Sequence, residues 1–211
     1  MKKIMFNDRY GLTQAVIEGI KTNTRWIEGG DQFQLAANSA EEFFYEKDAG
    51  YIVMCRQGVE IFRHKCRYKL GEVVAVAQRY EDLANIYHDK GSYLLQLSKV
   101  HGYKLAYITE LPGWRNKMFV DPQLMPHQIR ITGIKCERLQ DISTADCLKE
   151  GLRQAYAESI LGMYGYIDRK GTGLWFNTPR EAFAALIDKV SGRGTWASNP
   201  WVVAYEFELV K

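Results

Sequence analysis

Polar side chains that can bind or transform a ligand are densest between Gly19 and Trp26. The run contains Lys21, Thr24 and Arg25, which supply an amine, a hydroxyl and a guanidinium within five residues. A helix is predicted before this run and a strand within it, so the side chains should point into a cleft and converge on an anionic or carbonyl-bearing ligand. The same residues are also typical of a capped turn with solvated cations, and both interpretations stay open.

Two further loops combine aromatic and basic residues. In the first, Trp114 precedes Asn116 and Lys117, a combination that suits base stacking and phosphate contact. In the second, the glycine-rich segment 191–196 ends at Trp196, and its backbone would approach a phosphate closely. Each loop also has a plain structural interpretation, the first as a turn before a strand and the second as the C-cap of a helix.

Several classes of chemistry are not predicted. No Gly-x-Gly-x-x-Gly or Walker motif follows a predicted strand, which argues against nucleotide cofactors, and no nucleophile elbow is visible. The four cysteines are scattered without a Cys-x-x-Cys pair, so free thiols are expected rather than disulfides or a structural metal site. We therefore expect no cofactor and no metal.

Composition and charge narrow the choice of partners. A net charge of +3 permits binding to a polyanion without requiring it, and an aromatic fraction of 13% suits both base stacking and a β-sheet core. No stretch approaches about 18 uninterrupted apolar residues, so a membrane span is not expected. Two lysines follow Met1 with no apolar run behind them. This is not typical of a secretory signal, and we expect a cytoplasmic protein.

Periodicity and turn residues predict the elements that would position these groups. Helices are predicted over Asp8–Ile20, Ala40–Glu46, Ser143–Gly151 and Pro179–Val190, the last capped by Thr178. Strands are predicted over Tyr51–Cys55, Val59–Phe62, Gly71–Gln78, Met118–Val120, Gln128–Leu139 and Trp201–Leu209. The region from Glu81 to Gly113 is ambiguous, with two short amphipathic pieces.

Strands at irregular spacing with a few helices between them predict an α+β fold, with a mostly antiparallel β-barrel or curled sheet. Regular β-α-β alternation, which a doubly wound parallel sheet requires, is absent. We expect a single domain over residues 1–211, with flanking helices and two insertions, around 28–69 and 81–113. The aromatic residues of both insertions predict that they pack rather than remain disordered.

The order of several short motifs resembles the ASCH domain family, which is related to the PUA RNA-binding domains. The motifs that carry the match are, in chain order, Gly19-x-Lys21-x-x-Thr24, Gly71–Val76, Ile129–Thr132, Leu139–Gly151 and Trp196-x-x-Asn199-Pro200-Trp201. The version with Asn116-Lys117-Met118-Phe119-Val120 is similar to ASCH proteins of phages and prophages. The resemblance implies a PUA-like barrel whose cleft binds RNA or a modified nucleoside.

One enzymatic branch of this family deacetylates acetylcytidine, and the resemblance assigns its catalytic residues to Lys21, Thr24 and Glu150. A lysine amine is a nucleophile only when it is unprotonated, and a desolvated position beside Arg25 would lower its pKa. Glu150 would then accept the proton, and the Thr24 hydroxyl would donate to the developing oxyanion. The family pattern places an arginine five residues after the lysine, where this chain has Trp26.

The binding hypothesis uses the same cleft. Its candidate ligand-binding residues are Arg25, Trp26, Asn116, Lys117, Trp196 and Asn199. The alternative is an amidohydrolase that removes an acyl group from a modified cytidine with Lys21, Thr24 and Glu150. A third possibility is a phage protein with a structural or interaction role.

Overall fold

The computed structural model describes residues 1–86 and 89–210. The contacts among its residues divide the chain into two compact units. The small unit comprises Met1–Phe6 and Val73–Gln128, and the large unit comprises Asn7–Glu72 and Ile129–Val210.

Strands and helices alternate irregularly along the described residues. The strands are β1 (Lys3–Ile4), β2 (Asn23–Trp26), β3 (Glu42–Glu46), β4 (Tyr51–Arg56), β5 (Val59–Lys65), β6 (Val73–Val76), β7 (Gln128–Arg138), β8 (Arg153–Gln154), β9 (Tyr164–Ile167), β10 (Gly173–Phe176) and β11 (Trp201–Leu209). The α-helices are α1 (Leu12–Ile17), α2 (Gly30–Ser39), α3 (Tyr80–Ile86), α4 (Lys90–His101), α5 (Pro112–Arg115), α6 (Thr144–Lys149), α7 (Pro179–Ser191) and α8 (Thr195–Ser198). Short 3-10 helices cover Asp8–Tyr10, Leu105–Glu110, Lys117–Phe119, Pro122–Leu124, Leu139–Asp141 and Glu158–Ile160.

The small unit is mainly helical and encloses an apolar core of its own. Its strands β1 and β6 pair in parallel. Helix α4 begins where the Asp89 side chain accepts a hydrogen bond from Ser92 N, and it ends at Gly102 in the left-handed conformation. The core includes Tyr80, Leu83, Tyr93, Leu97, Ile108 and Trp114. The predicted insertion at 81–113 therefore packs, as expected; its residues Tyr87 and His88 lie outside the described residues.

In the large unit, an antiparallel sheet in the order β7–β11–β2 positions the polar cluster that the sequence singles out. Thr24 of β2 lies opposite Tyr205 of β11. Successive strand residues point to opposite faces of a sheet. Asn23 and Arg25 therefore share one face of β2, and Thr24 and Trp26 share the other.

The large unit has two further antiparallel sheets, β3–β4–β5 and β8–β9–β10. The first of these contains the strands predicted over Tyr51–Cys55 and Val59–Phe62, which pair as a hairpin whose turn holds Gln57 and Gly58 at φ values of +52° and +74°. This sheet and helix α2, which buries Phe33 and Ala37, form most of the predicted insertion at 28–69. This insertion therefore packs as well, whereas the prediction of one domain over 1–211 stays a prediction.

The best-predicted elements are those with side-chain caps or long alternation. Helix α7 starts with a capping box, in which the Thr178 hydroxyl accepts from Glu181 N and the Glu181 carboxylate accepts from Thr178 N. Helix α6 starts where the Ser143 hydroxyl accepts from Asp146 N at 3.0 Å. Strand β11 has the predicted bounds, and β7 ends one residue early, at Arg138.

Three predicted elements differ from the structure. The segment Ala40–Glu46 is not helical: residues 42–46 form β3, because this stretch, which holds three consecutive aromatic residues, pairs with β4, and the helix lies earlier, as α2. Met118–Val120 is not a strand, because the Asn116 side chain caps a 3-10 turn over Lys117–Phe119. The first predicted helix is interrupted at Gly11, whose φ of +66° separates a 3-10 turn from α1.

The α+β class is confirmed, and the sheets of the described residues are open; none of them closes into a barrel. Among the described helices, not one combines the length and the apolar composition that crossing a membrane requires.

Candidate functional site

Lys21 and Glu150 meet in a buried ion pair in the large unit. Their backbones form an isolated antiparallel bridge, and Lys21 Nζ donates to Glu150 Oε2 at 2.6 Å. The same ammonium donates to the carbonyl oxygens of Asn23 at 2.7 Å and Glu150 at 3.0 Å. Lys21 is 2% exposed and Glu150 is 4% exposed. Three ammonium hydrogens thus meet three acceptors in a site shielded from water.

Arg25 completes this charged cluster from the same face of β2. Its Nη1 donates to Glu150 Oε1 at 2.7 Å. The two oxygens of the Glu150 carboxylate therefore accept hydrogen bonds from two different cations. Its Nε donates to Glu137 Oε1 at 2.8 Å, and Nη2 lies 3.7 Å from Asp146 Oδ2. Further out, Lys135 and Lys149 pair with the acidic members and are about half exposed. We call these residues, Lys21, Arg25, Lys135, Glu137, Asp146, Lys149 and Glu150, the charged cluster.

The pKa values of the two inner cations are shifted in opposite directions. Desolvation lowers the pKa of the Lys21 ammonium, and the adjacent Glu150 carboxylate only partly counteracts it. Desolvation also acts to lower the pKa of the Arg25 guanidinium, but the charges of Glu150 and Glu137 outweigh it and raise that pKa. Lys21 is therefore the member of the pair that releases a proton more readily than usual.

Thr24 does not join the charged cluster. Its hydroxyl accepts a hydrogen bond from Trp26 Nε1 at 3.1 Å, on the face of β2 opposite to Arg25. The structure therefore brings Lys21, Arg25 and Glu150 together, and it places Thr24 and Trp26 in a different environment.

That environment is an aromatic cluster around a buried carboxylate, which the sequence does not reveal. Glu28 is 7% exposed; its Oε1 accepts from the Tyr205 hydroxyl and its Oε2 bonds His64 Nε2, each at 3.0 Å. The imidazole must carry its proton on Nε2 to make this bond. The Trp26 ring packs edge-on against Tyr68 and Tyr205, at centroid distances of 5.8 and 6.4 Å.

Arg67 covers the outer side of this cluster. Its guanidinium carbon lies 4.2 Å from the Trp26 ring centroid, within the range of a cation–π contact. The Arg67 side chain is nevertheless 58% exposed, and its Nε is 3.8 Å from Glu28 Oε1. We call Trp26 and Arg67 the tryptophan–arginine stack.

The segment around Arg67 carries basic residues at every second position. Arg63, Lys65, Arg67 and Lys69 are exposed, whereas the intervening His64, Cys66 and Tyr68 are half-buried or buried. Arg63 is bound by Glu46 and Glu60, whereas the Lys65 and Lys69 side chains have no ion-pair partner among the described residues. The alternation Arg-x-Lys-x-Arg-x-Lys, read as one face of a strand, would have indicated this surface from the sequence.

Trp196 and Asn199 have structural roles in the large unit. Asn199 is left-handed, at φ +44°, and its Oδ1 accepts from Gln140 N at 2.8 Å. The Trp196 ring contacts Phe183 and lies beneath the Arg180 guanidinium at 5.0 Å. These contacts anchor the segment before β11.

Asn116 and Lys117 belong to the small unit. The Asn116 side chain accepts from Met118 N at 3.0 Å and so caps the following 3-10 turn. Lys117 Nζ donates to the carbonyl oxygen of Phe6. Both side chains therefore hold backbone within their own unit.

The cysteines are free and two of them lie near the sites just described. Burial raises the pKa of Cys66 to about 12 and that of Cys147 to about 11, which makes both thiols poor nucleophiles at neutral pH. Within residues 1–86 and 89–210, histidine, cysteine and carboxylate side chains form no group of three that could hold a metal ion.

Comparison with protein-family models, with curated proteins and with solved structures yields no match for this chain. The likeness to the ASCH family therefore rests on the motifs quoted from the sequence, and it stays a prediction.

Proposed function

We propose that this chain binds RNA or a modified nucleoside, and that the contact surface of the large unit is the tryptophan–arginine stack with its flanking lysines. The observation that carries the proposal is the exposed Arg67 guanidinium held 4.2 Å from the Trp26 ring centroid. Unstacked bases bind proteins by stacking on aromatic rings and on arginine planes, and this pair offers both in one place.

The stack is held in position before any ligand arrives. Trp26 Nε1 is fixed by the Thr24 hydroxyl, and the Trp26 ring is wedged against Tyr68 and Tyr205. A side chain that is already ordered loses little entropy on binding. A base that stacks on Arg67, or displaces it from the indole, would therefore retain most of the ~1–3 kcal/mol that such stacking contributes.

Lys65 and Lys69 supply the positive charge that a phosphate backbone requires. They flank Arg67 two residues away on either side, and both are exposed. Arg63 contributes less, because Glu46 and Glu60 already neutralise it. The charged cluster around Glu150 is less suited to this role, because the charges of Lys21 and Arg25 are buried and matched by carboxylates.

Fluorescence anisotropy with a labelled single-stranded RNA, measured over a range of salt concentrations, tests this proposal. Each phosphate contact adds roughly 0.7 to the slope of log affinity against log salt for a single strand. We expect Lys65→Gln and Lys69→Gln each to reduce the slope by about that amount, and Arg67→Gln to weaken binding further through the lost stack. Lys189→Gln, an equivalent change on the exposed side of α7, serves as the matched control.

A modified nucleoside is tested in the same series by competition, with acetylcytidine and cytidine as competitors of the labelled RNA. Absence of binding by the wild-type chain at low salt would contradict the proposal. Equal effects of Lys65→Gln and Lys189→Gln would place the RNA elsewhere on the chain.

The second candidate function, an amidohydrolase acting on an acylated cytidine, is favoured by one observation. Lys21 has a lowered pKa and lies 2.6 Å from a carboxylate that is able to take its proton. In this scheme, water and the amide are converted to cytidine and acetate. The oxyanion role that the resemblance gives to Thr24 has no support, since that hydroxyl lies on the other face of β2.

Acetate release from acetylcytidine tests the amidohydrolase. Wild-type turnover that is lost in both Lys21→Met and Glu150→Gln, with each variant shown to be folded by circular dichroism, is the expected result. No turnover by the wild-type chain, or turnover that persists in Lys21→Met, would end this candidate.

We also propose a PUA-like fold and a cytoplasmic location. A PUA-like architecture rests on the quoted ASCH-like motifs, and a cytoplasmic location is supported by four free cysteines, which are typical of a reducing compartment. The structural or interaction role in a phage stays a prediction.

A further inference from the structure

The large unit contains a cavity of about 560 Å³, and its described lining includes no member of the charged cluster or of the tryptophan–arginine stack. Its floor is the sheet β8–β9–β10, from which Arg153, Ile167 and Trp175 face the cavity. Ile20, Leu152, Ala155 and Ile160 are among the residues of its walls. Ligand pockets in proteins typically measure about 300–1,000 Å³, so this space is large enough for a small organic molecule.

Trp175 is seated on glycine backbone. In the sheet register, Gly165 lies between Arg153 and Trp175, and Gly173 lies two residues before Trp175 on the same face. A Cβ at residue 165 would come within 2.9 Å of Trp175 Cε3, and one at residue 173 would collide with the nitrogen end of the indole. Neither glycine has a positive φ. Both positions therefore require glycine because a side chain would occupy the space of the Trp175 indole. A Cβ at residue 165 would also clash with the Leu174 carbonyl.

This arrangement leaves one side of the indole against backbone while the side chain also lines the cavity. An indole held flat on glycine offers a rigid stacking surface, and such surfaces favour flat aromatic partners. The charge of Arg153 is already matched by Glu18, and the other lining residues named above are uncharged. An ionic ligand would therefore have no unmatched counter-charge here.

We propose that this cavity binds an uncharged, flat aromatic molecule of two or three fused rings, stacked on Trp175. A cavity of roughly 150 Å³ is sufficient for a single benzene ring, so a space several times larger implies a larger ring system. Tyr156, which lines the cavity and is 85% exposed, supplies a hydroxyl for one polar substituent. This site is independent of the proposed RNA surface.

Isothermal titration with two ligands of matched shape tests the site. The first is 2-naphthol, which is flat and uncharged and bears one hydroxyl; the second is decahydro-2-naphthol, its saturated and non-planar counterpart. We expect the wild-type chain to bind 2-naphthol at least about tenfold more tightly. Trp175→Leu, which keeps an apolar side chain, should weaken 2-naphthol binding at least about fivefold, because the variant lacks the indole on which the ligand stacks.

Two further variants keep the test decisive if Trp175→Leu fails to fold. Ala157→Trp fills the cavity from an exposed position and should abolish binding. Leu174→Ala, on the same strand but outside the cavity lining, should leave binding unchanged. The proposal is overturned if the wild-type chain binds neither ligand up to the solubility limit, if the saturated ligand binds equally well, or if Ala157→Trp binds 2-naphthol as the wild type does.

Discussion

At the scale of single residues, Glu150 is the member of the charged cluster on which the others depend. Its two carboxylate oxygens accept hydrogen bonds from Lys21 and Arg25, and both cations are almost fully shielded from water. A buried charge that loses its partner retains its desolvation penalty without compensation. The loss of stability on replacing Glu150 therefore depends on the two buried cations that lose their partner, and not only on the hydrogen bonds that are removed.

We expect Glu150→Gln to lower the free energy of unfolding by about 3 kcal/mol, because the amide keeps the shape but removes the charge between two buried cations. Urea unfolding measures this change. Glu208→Gln is the matched control, since Glu208 pairs with Arg130 at 3.4 Å and both side chains are about half exposed. That exposed pair should contribute less than about 1 kcal/mol. Equal costs at the two positions would show that the charged cluster is solvated.

At the scale of elements, the sequence predicts helices with side-chain caps far better than it predicts the turns between them. Helix α7 combines a capping box, a proline in its first turn and an apolar stripe of Ala182, Phe183, Leu186 and Ile187. Each of these local signals points to the same helix. By contrast, the aromatic residues of β3 form a strand only because β4 pairs with them, and that pairing is not visible in a short window of sequence.

The residues of the candidate site also divide into those that the sequence predicts and those that only the folded chain reveals. The pairing of Lys21 with Glu150 follows from the motif resemblance, and the structure brings the two residues together across 129 positions of sequence. The separation of Thr24 from them follows from strand alternation, once β2 is known to begin at Asn23. The Glu28 carboxylate and its partners His64 and Tyr205 come from three distant segments, so only the folded chain reveals that cluster.

The capping box of α7 gives a prediction at this scale. Thr178→Ala removes the hydroxyl that accepts from Glu181 N and should lower the free energy of unfolding by about 1 kcal/mol. Thermal or urea unfolding measures this. Thr178→Ser retains the oxygen and should recover most of the loss, whereas equal losses in the alanine and serine variants would mean that the threonine methyl, and not the cap, stabilises the helix.

At the scale of the whole molecule, buried thiols and phenols make folding sensitive to alkaline pH. Burial raises the pKa of Cys66 to about 12, that of Cys136 to about 12 and that of Cys147 to about 11, and it raises the pKa of Tyr68 and Tyr205 in the same sense. The unfolded chain releases a thiol proton near pH 8.5. Between that pH and the folded pKa the folded chain holds more protons, so stability falls as the pH rises.

The ionisation of Lys21 changes the stability of the folded chain with pH in the opposite direction. Its pKa in the folded chain is lowered by burial, so over the range between that pKa and the ordinary lysine value the unfolded chain holds the extra proton. Its contribution to stability therefore rises with pH over that range. The pH dependence of the wild-type chain is a sum of opposing effects, and a single-residue variant is needed to separate them.

Cys66→Ala isolates one thiol. At pH 8 the variant should be less stable than the wild type, since it leaves a small cavity in the core. Between pH 8 and pH 10.5 the wild type should lose about 2.5 kcal/mol of stability relative to the variant, because the unfolded wild-type thiol ionises near pH 8.5 while the folded one, with a pKa of about 12, does not. Ile52→Val, a core truncation without a titrating group, should cost the same at both pH values. A Cys66→Ala cost that stays constant from pH 8 to 10.5 would show that the folded thiol ionises as readily as the unfolded one.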